Sequence, residues 1–207
     1  RPALDTLLHA AVERHDVPGG VAEVANRERT LYRGAFGKLD ERGAVGMPAD
    51  AIFQIYSMTK PVTSAAIMML KEQGLLGLDD MVSRYLPEFK GTEVIVEIDE
   101  SAASYITRSA ACDITLRHLL THTAGFGYEF CSHMLRKLSG QFTAYPPLLH
   151  DPGSRWTYGP NTRVSGRLIE HVAGEPLDVF FESRIFHPLG MGDTGFDLKP
   201  EDRPRLA

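Results

Sequence analysis

Leu4, Leu7, Leu8, Ala11 and Val12 recur at helical spacing, so the chain is expected to open on an amphipathic helix that ends before Pro18-Gly19-Gly20. The period then changes. Residues 21–25 and 30–37 read as two strands joined by a polar turn at 26–29, an antiparallel hairpin. A loop with Gly43, Gly46 and Pro48 follows, and Ile52-Phe53-Gln54-Ile55 leads into a long apolar run. There Val62, Ala65, Ala66, Ile67, Met68, Met69 and Leu70 are apolar almost all round a helix, a pattern that belongs at the centre of a core. Gly74 is its stop signal, and Leu78-Asp79-Asp80 predicts the start of a short helix that Pro87 ends.

Residues 92–98 alternate enough for a strand or an extended insertion, whereas 99–113 carry no clear pattern. Residues 115–122 and 128–139 are expected to be helical, with a turn at Asp151-Pro152-Gly153. Val164, Leu168, Ile169 and Val172 mark a helix ending at Gly174, and Leu177, Phe180, Phe181 and Ile185 mark another. No repeat or low-complexity segment interrupts this order. It reads as an α+β fold: helix and β-hairpin in 1–56, a mostly helical subdomain in 57–195, and in 196–207 the start of a return to the α/β domain.

Composition narrows the function classes. At 207 residues and 43% hydrophobic content the chain suffices for one large or two small domains. A net charge of -5 with scattered Lys and Arg argues against a nucleic-acid partner. No apolar run reaches membrane-spanning length, so no membrane partner is expected. No signal peptide is visible, which leans toward a cytoplasmic location; yet the chain opens on Arg1-Pro2 without Met, so residues have been removed or omitted and the compartment stays open. Cys112 and Cys131 read as free, buried thiols rather than a bridge, and neither has zinc-site spacing. His118 and His122 lie four apart but lack the Glu of a zinc motif, and read as core or capping histidines. Gly125-x-Gly127 lacks the third glycine and the preceding strand of a dinucleotide site. Neither a metal nor an organic cofactor is implied.

The chemistry gathers at Ser57-Met58-Thr59-Lys60, at the mouth of the apolar run. On a helix, positions i and i+3 share a face, so the Lys60 amine can reach the Ser57 hydroxyl. A serine becomes a nucleophile when an adjacent base takes its proton. A lysine can be that base only if its ammonium is destabilised by burial or by a second cation, and the apolar residues after Lys60 predict partial desolvation. Pro61 disfavours helical torsions at Lys60, so the helix is expected to begin tight or irregular.

With these elements placed, the chain resembles the serine β-lactamase and penicillin-binding-protein superfamily. Within it, the likeness is to the class C-like branch that includes family VIII carboxylesterases and statin-side-chain acyltransferases. The resemblance rests on Phe53-Gln-Ile-Tyr-Ser-Met-Thr-Lys-Pro61, Leu116-Arg-His-Leu-Leu-Thr-His-Thr-Ala-Gly-Phe126 and Pro152-Gly-Ser-Arg-Trp-Thr-Tyr158. Gly166-Arg-Leu-Ile-Glu170 and the run from Arg184 to Thr194 extend it in the same order. It implies a transpeptidase-like fold, an antiparallel sheet flanked by helices, with Ser57 as acyl-accepting nucleophile and Lys60 as its base partner. It also implies that Tyr158 passes a proton to the leaving group or shares the base role. Trp156 and Tyr128 resemble pocket-lining aromatics, with core packing an equally open reading.

Two departures from the family pattern matter. Where β-lactamases of this branch carry Asn two positions after the tyrosine, this chain has Pro160, and Asn161 comes one residue late. That favours esters over β-lactams. The family's third motif, a Lys-Thr-Gly or its His/Trp-Gly replacement, does not follow Met191-Gly-Asp-Thr194, so the resemblance covers the N-terminal half of the family unit. A complementary C-terminal segment or chain is therefore an expected partner. The leading expectation is a carboxylesterase-like serine hydrolase of short-chain esters, working through an acyl-serine. A β-lactamase or D-alanyl carboxypeptidase, an acyltransferase, and an inactive scaffold of the same fold are the alternatives.

Overall fold

A computed structural model describes residues 2–40, 43–99, 104–142 and 145–207. The chain forms two compact units, residues 1–56 with 193–207 and residues 57–192.

The first unit is built on helix α1 (Pro2–Glu13) and strands β1 (Gly19–Ala25) and β2 (Thr30–Gly37). The strands pair antiparallel from Gly19↔Gly37 to Ala25↔Thr30, with a bulge between Val24 and Ala25 beside the turn. Asn26 makes that turn, its side-chain oxygen accepting the backbone N–H groups of Glu28 and Arg29 at 3.0 and 2.8 Å. Tyr32 fastens α1 to β2 by donating its hydroxyl to Asp5 at 2.7 Å. The separated ends of the unit meet where Ile52 pairs with Leu206. There Arg205 reaches Asp193 at 2.5 Å, Asp202 at 3.0 Å and Asp50 at 3.2 Å. Helix α1 buries no residue, and Leu7 is 61% exposed.

The second unit holds the main core. Helices α2 (Thr59–Glu72) and α5 (Asn161–Ala173) pack against each other, with the short helices α3 (Leu116–Leu120) and α6 (Leu177–Phe181) against α5. Ala66, Ile67 and Leu70 of α2 meet Val164, Leu168 and Ile169 of α5 in one apolar cluster. A second hairpin, β3 (Glu93–Asp99) with β4 (Ser104–Ser109), is joined to the loop before residue 151 where Ile95 N–H donates to the Leu148 carbonyl and Leu148 N–H to the Glu93 carbonyl, each at 2.8 Å. Helix α4 (His133–Lys137) covers a smaller cluster of Ile95, Leu135 and Leu138.

Several expectations need correction. Helix α2 is buried along one stripe rather than all round: Ala65 and Met68 are exposed. Residues 78–87 form no α-helix. Asp80 instead accepts Gly77 N–H at 2.7 Å and Tyr85 hydroxyl at 2.5 Å, a local alternative to helical bonding. Only single 3-10 turns remain, at Val82–Arg84 and at Pro87–Phe89, where Pro87 starts a turn rather than ending a helix. The helix expected at 128–139 shrinks to α4, because Cys131 N–H closes a turn on Tyr128 and Ser132 caps the new start. The unplaced stretch 99–113 contains β4, hidden by a register shift between Ile95 and Glu97; residues 100–103 lie outside the described ones. Both cysteines are free, as expected, but exposed.

Leu70 is 1% exposed in the α2–α5 seam, whereas Met68 is 38% exposed on the same helix. Leu70→Ala is expected to cost about 3 kcal/mol in urea unfolding of the intact protein, and Met68→Ala less than about 1 kcal/mol.

Candidate active site

Ser57 lies in a 3-10 turn, Tyr56–Met58, that runs straight into α2, the tight start that Pro61 in the first helical turn demands. Tyr56 holds a left-handed φ of 42°, a conformation costly for a tyrosine and one that tends to persist at functional sites. Lys60, second residue of α2, is half-buried and reaches back to the Ser57 hydroxyl at 3.0 Å.

Tyr158 comes from a different part of the chain, the loop before α5. His150 ties that loop down, one ring nitrogen 2.9 Å from the Thr157 hydroxyl and the other 2.9 Å from the Asp151 carbonyl. Asp151 is in turn held by a two-pronged bond from Arg108 of β4, at 2.8 and 2.7 Å. That fork, with the Ala111 N–H, holds its carboxyl at about 2, ionised at any working pH. After Tyr158 the chain must pass close to Phe126. A Cβ at Gly159 would sit 2.4 Å from the Phe126 carbonyl, so only glycine fits.

These elements bring three sequence-predicted side chains together. The Tyr158 hydroxyl is 2.6 Å from both Ser57 Oγ and Lys60 Nζ, which closes a triangle with the 3.0 Å Lys60–Ser57 bond. The Lys60 hydrogen bond, and after it that of Ser57, holds the Tyr158 phenol below its usual value of 10.0. Chemically, this arrangement can take a proton from a hydroxyl and return it to a neighbouring atom without moving a heavy atom by more than hydrogen-bond length.

Trp156 and Tyr128 are not core residues. Trp156, 64% exposed, stacks on Tyr158 with ring centres 6.2 Å apart. Tyr128 lies 5.6 Å from Tyr158 and stacks on exposed Phe130 at 4.9 Å. The four rings lie together beside the Ser57–Lys60–Tyr158 group.

Two neighbours escaped sequence reasoning. His118 does cap α3, accepting Thr115 N–H in a reciprocal capping box. His122 does not cap: it leaves the helix with φ 55° and lies against Tyr158, ring centres 5.1 Å apart. Burial, then the Lys60 charge, pushes its imidazole below the usual value. Asn161 is fully buried at the start of α5 and bonds His122 Nδ1 through Nδ2 at 2.8 Å.

Comparison with protein families matches residues 4–207 to the beta-lactamase family. The chain belongs to the beta-lactamase family. One relative of this beta-lactamase-family chain is the ML-236A carboxylate methylbutanoyltransferase mlcH of Penicillium citrinum, 32% identical over 98% of this chain and 52% of that protein. Another is esterase EstB of Burkholderia gladioli, 32% identical over 96% of this chain and 52% of that protein. Unliganded simvastatin synthase (LovD) from Aspergillus terreus superposes with a TM-score of 0.90 at 30% identity, covering 99% of this chain and 57% of the other. The chain spans about half the length of the curated relatives it matches. The β-lactamase-like fold and the likeness to esterases and acyltransferases therefore stand.

A difference titration at 295 nm between the intact protein and Tyr158→Phe isolates this one phenol. Its midpoint is expected below pH 10, and Lys60→Met is expected to move it upward by removing the main cause of the shift. A Tyr158 midpoint at or above 10 in the unaltered protein would contradict the geometry.

Proposed function

We propose that this chain carries the nucleophile and proton-transfer groups of a carboxylesterase-like serine hydrolase that cleaves short-chain esters through an acyl-serine. The observation that carries this reading is the closed triangle of Ser57, Lys60 and Tyr158. In the proposed reaction the Ser57 proton passes to the Lys60–Tyr158 pair as Oγ bonds to the ester carbonyl carbon. The tetrahedral adduct collapses, the C–O bond to the alcohol breaks, and Tyr158 returns the proton to the departing oxygen. Water then repeats the sequence on the acyl-serine and releases the acid. Between steps the proton belongs to the hydrogen-bonded Lys60–Tyr158 pair as a whole.

Ester over β-lactam is supported by Pro160 and Asn161. The first has no side-chain donor, and the second spends its amide on His122 inside the core, so neither offers a carboxamide to a substrate. A second reading, acyl transfer to an alcohol, has the methylbutanoyltransferase and simvastatin synthase relatives in its favour. The two differ only in whether water or an alcohol meets the acyl-serine. A complementary C-terminal segment or chain is part of the proposal. It supplies a further oxyanion donor and covers the open face of α1, where Leu7 meets solvent.

Incubation with p-nitrophenyl butyrate, acid quench and intact-mass measurement should give one butyryl adduct, absent in Ser57→Ala. Lys60→Ala and Tyr158→Phe should each lower kcat/KM by about 10²–10⁴. Turnover of p-nitrophenyl butyrate should exceed that of a cephalosporin, and an added alcohol that diverts most of the acyl group would favour the transfer reading. No adduct on Ser57 would end both.

A further inference from the structure

A phenol can serve a hydroxyl and an amine at once only if its ring is kept from swinging, and the side chain against Tyr158 on the protein side is His122. The two rings are 5.1 Å apart and tilted by 31°. His122 is fixed at three further points. Its backbone carbonyl accepts Thr157 N–H at 2.8 Å, which anchors the residue next to Tyr158. Its Nδ1 bonds the fully buried Asn161 amide at 2.8 Å, which anchors it to the start of α5. Its backbone sits at φ 55°, where glycine would be at less cost, so the side chain must contribute through what its ring touches.

We propose that His122 is a positioning residue for the proton-transfer pair, an uncharged imidazole locked by Asn161 that holds the Tyr158 ring so that its hydroxyl faces Ser57 and Lys60 together. This rests on the proposed role of Tyr158 in proton transfer. In the tautomer that accepts Asn161 Nδ2 at Nδ1, the hydrogen sits on Nε2 and the ring is neutral. An imidazolium has no lone pair to accept that bond. Among the described residues, Lys60 from α2 is the charged group facing His122; α5 presents uncharged Asn161, and the loop before it presents Tyr158, which Cys131 also faces. Both burial and the Lys60 charge oppose a second cation, so the support stays neutral while the pair works. The imidazole bonds to Asn161 and lies against the Tyr158 ring. It acts through the ring it holds.

The test reads position, not only activity. In the intact protein, His122→Ala should lower kcat for p-nitrophenyl butyrate by about 10²-fold with KM within about threefold, the scale of loss for a misplaced catalytic group. The Tyr158 midpoint at 295 nm should rise at the same time, because the phenol drifts from Lys60. His122→Phe, which restores a flat ring, should recover at least about tenfold in kcat and return the midpoint downward. If His122→Ala does not fold, His122→Gln, which gives Asn161 a partner but no ring, takes its place with the same expectation. A fall in melting temperature with kcat and the Tyr158 midpoint unchanged would overturn the proposal and leave His122 a structural residue. The midpoint comparison needs no turnover, so it decides the positioning role even if Ser57 is never acylated; failure of acylation alone counts against the functional reading instead.

Discussion

An amine and a phenol held 2.6 Å apart, with a hydroxyl within hydrogen-bond reach of both, are the constraint on which the arrangement of the second unit depends. A charged donor this close to a phenol favours its anionic form, and a serine hydroxyl beside that form has somewhere to send its proton. The contact has a structural cost. It joins residues 98 apart in sequence and asks a tyrosine next to the serine to adopt a left-handed backbone. Two-group sites of this kind hold only where the surrounding packing leaves no alternative.

That packing comes from α2 and α5. Each offers one stripe to the other, Ala66, Ile67 and Leu70 against Val164, Leu168 and Ile169, and each places a site residue at its N-terminal end. Lys60 is in the first turn of α2, and Asn161 opens α5 directly after the Tyr158 segment. Shifting one helix by a turn would move those ends by about 5 Å and separate the groups. Loops carry the rest, but they are pinned loops: His150, Asp151 and Arg108 fix the segment before Tyr158, and Gly159 lets it run against Phe126. Core apolar burial thus sets the distance between helices, and polar bonds set the orientation of the side chains.

Legibility followed the range of the physics. Features decided locally could be read directly: the hairpin at its Asn26 turn, the helix ends near Gly74 and Gly174, the tight entry to α2 that Pro61 enforces. Ser57 and Lys60 were legible because i and i+3 meet on any helix. Tyr158 was legible only through a likeness to a family, since nothing local says that a loop residue 101 positions away will meet Ser57. Features decided by competition were misread. Asp80 could cap a helix or close a turn on Gly77 and Tyr85, and tertiary contact chose the turn. The bulge in β3 broke the alternation that would have announced the second hairpin. His122 was invisible for a third reason, because its partners Tyr158 and Asn161 lie on segments whose approach is set by the core.

The triangle is, in the proposed reaction, indifferent to what attacks the acyl group, and the chain's relatives include proteins named for ester cleavage and for acyl transfer. In the proposed reaction, water and an alcohol both need their proton removed by the same pair. What can separate them is the surface they cross. Trp156 and Phe130 are 64% and 68% exposed around Tyr158 and present apolar faces to solvent. Burying such faces against an apolar acceptor returns on the order of 25 cal/mol per Å² of area removed from water, a gain that water itself cannot collect. In that proposed reaction a rim of this kind favours bulky apolar alcohols over short polar ones in proportion to the area they cover. The proton-transfer groups, in the proposed reaction, set how fast the serine is acylated, and the aromatic rim sets what takes the acyl group away.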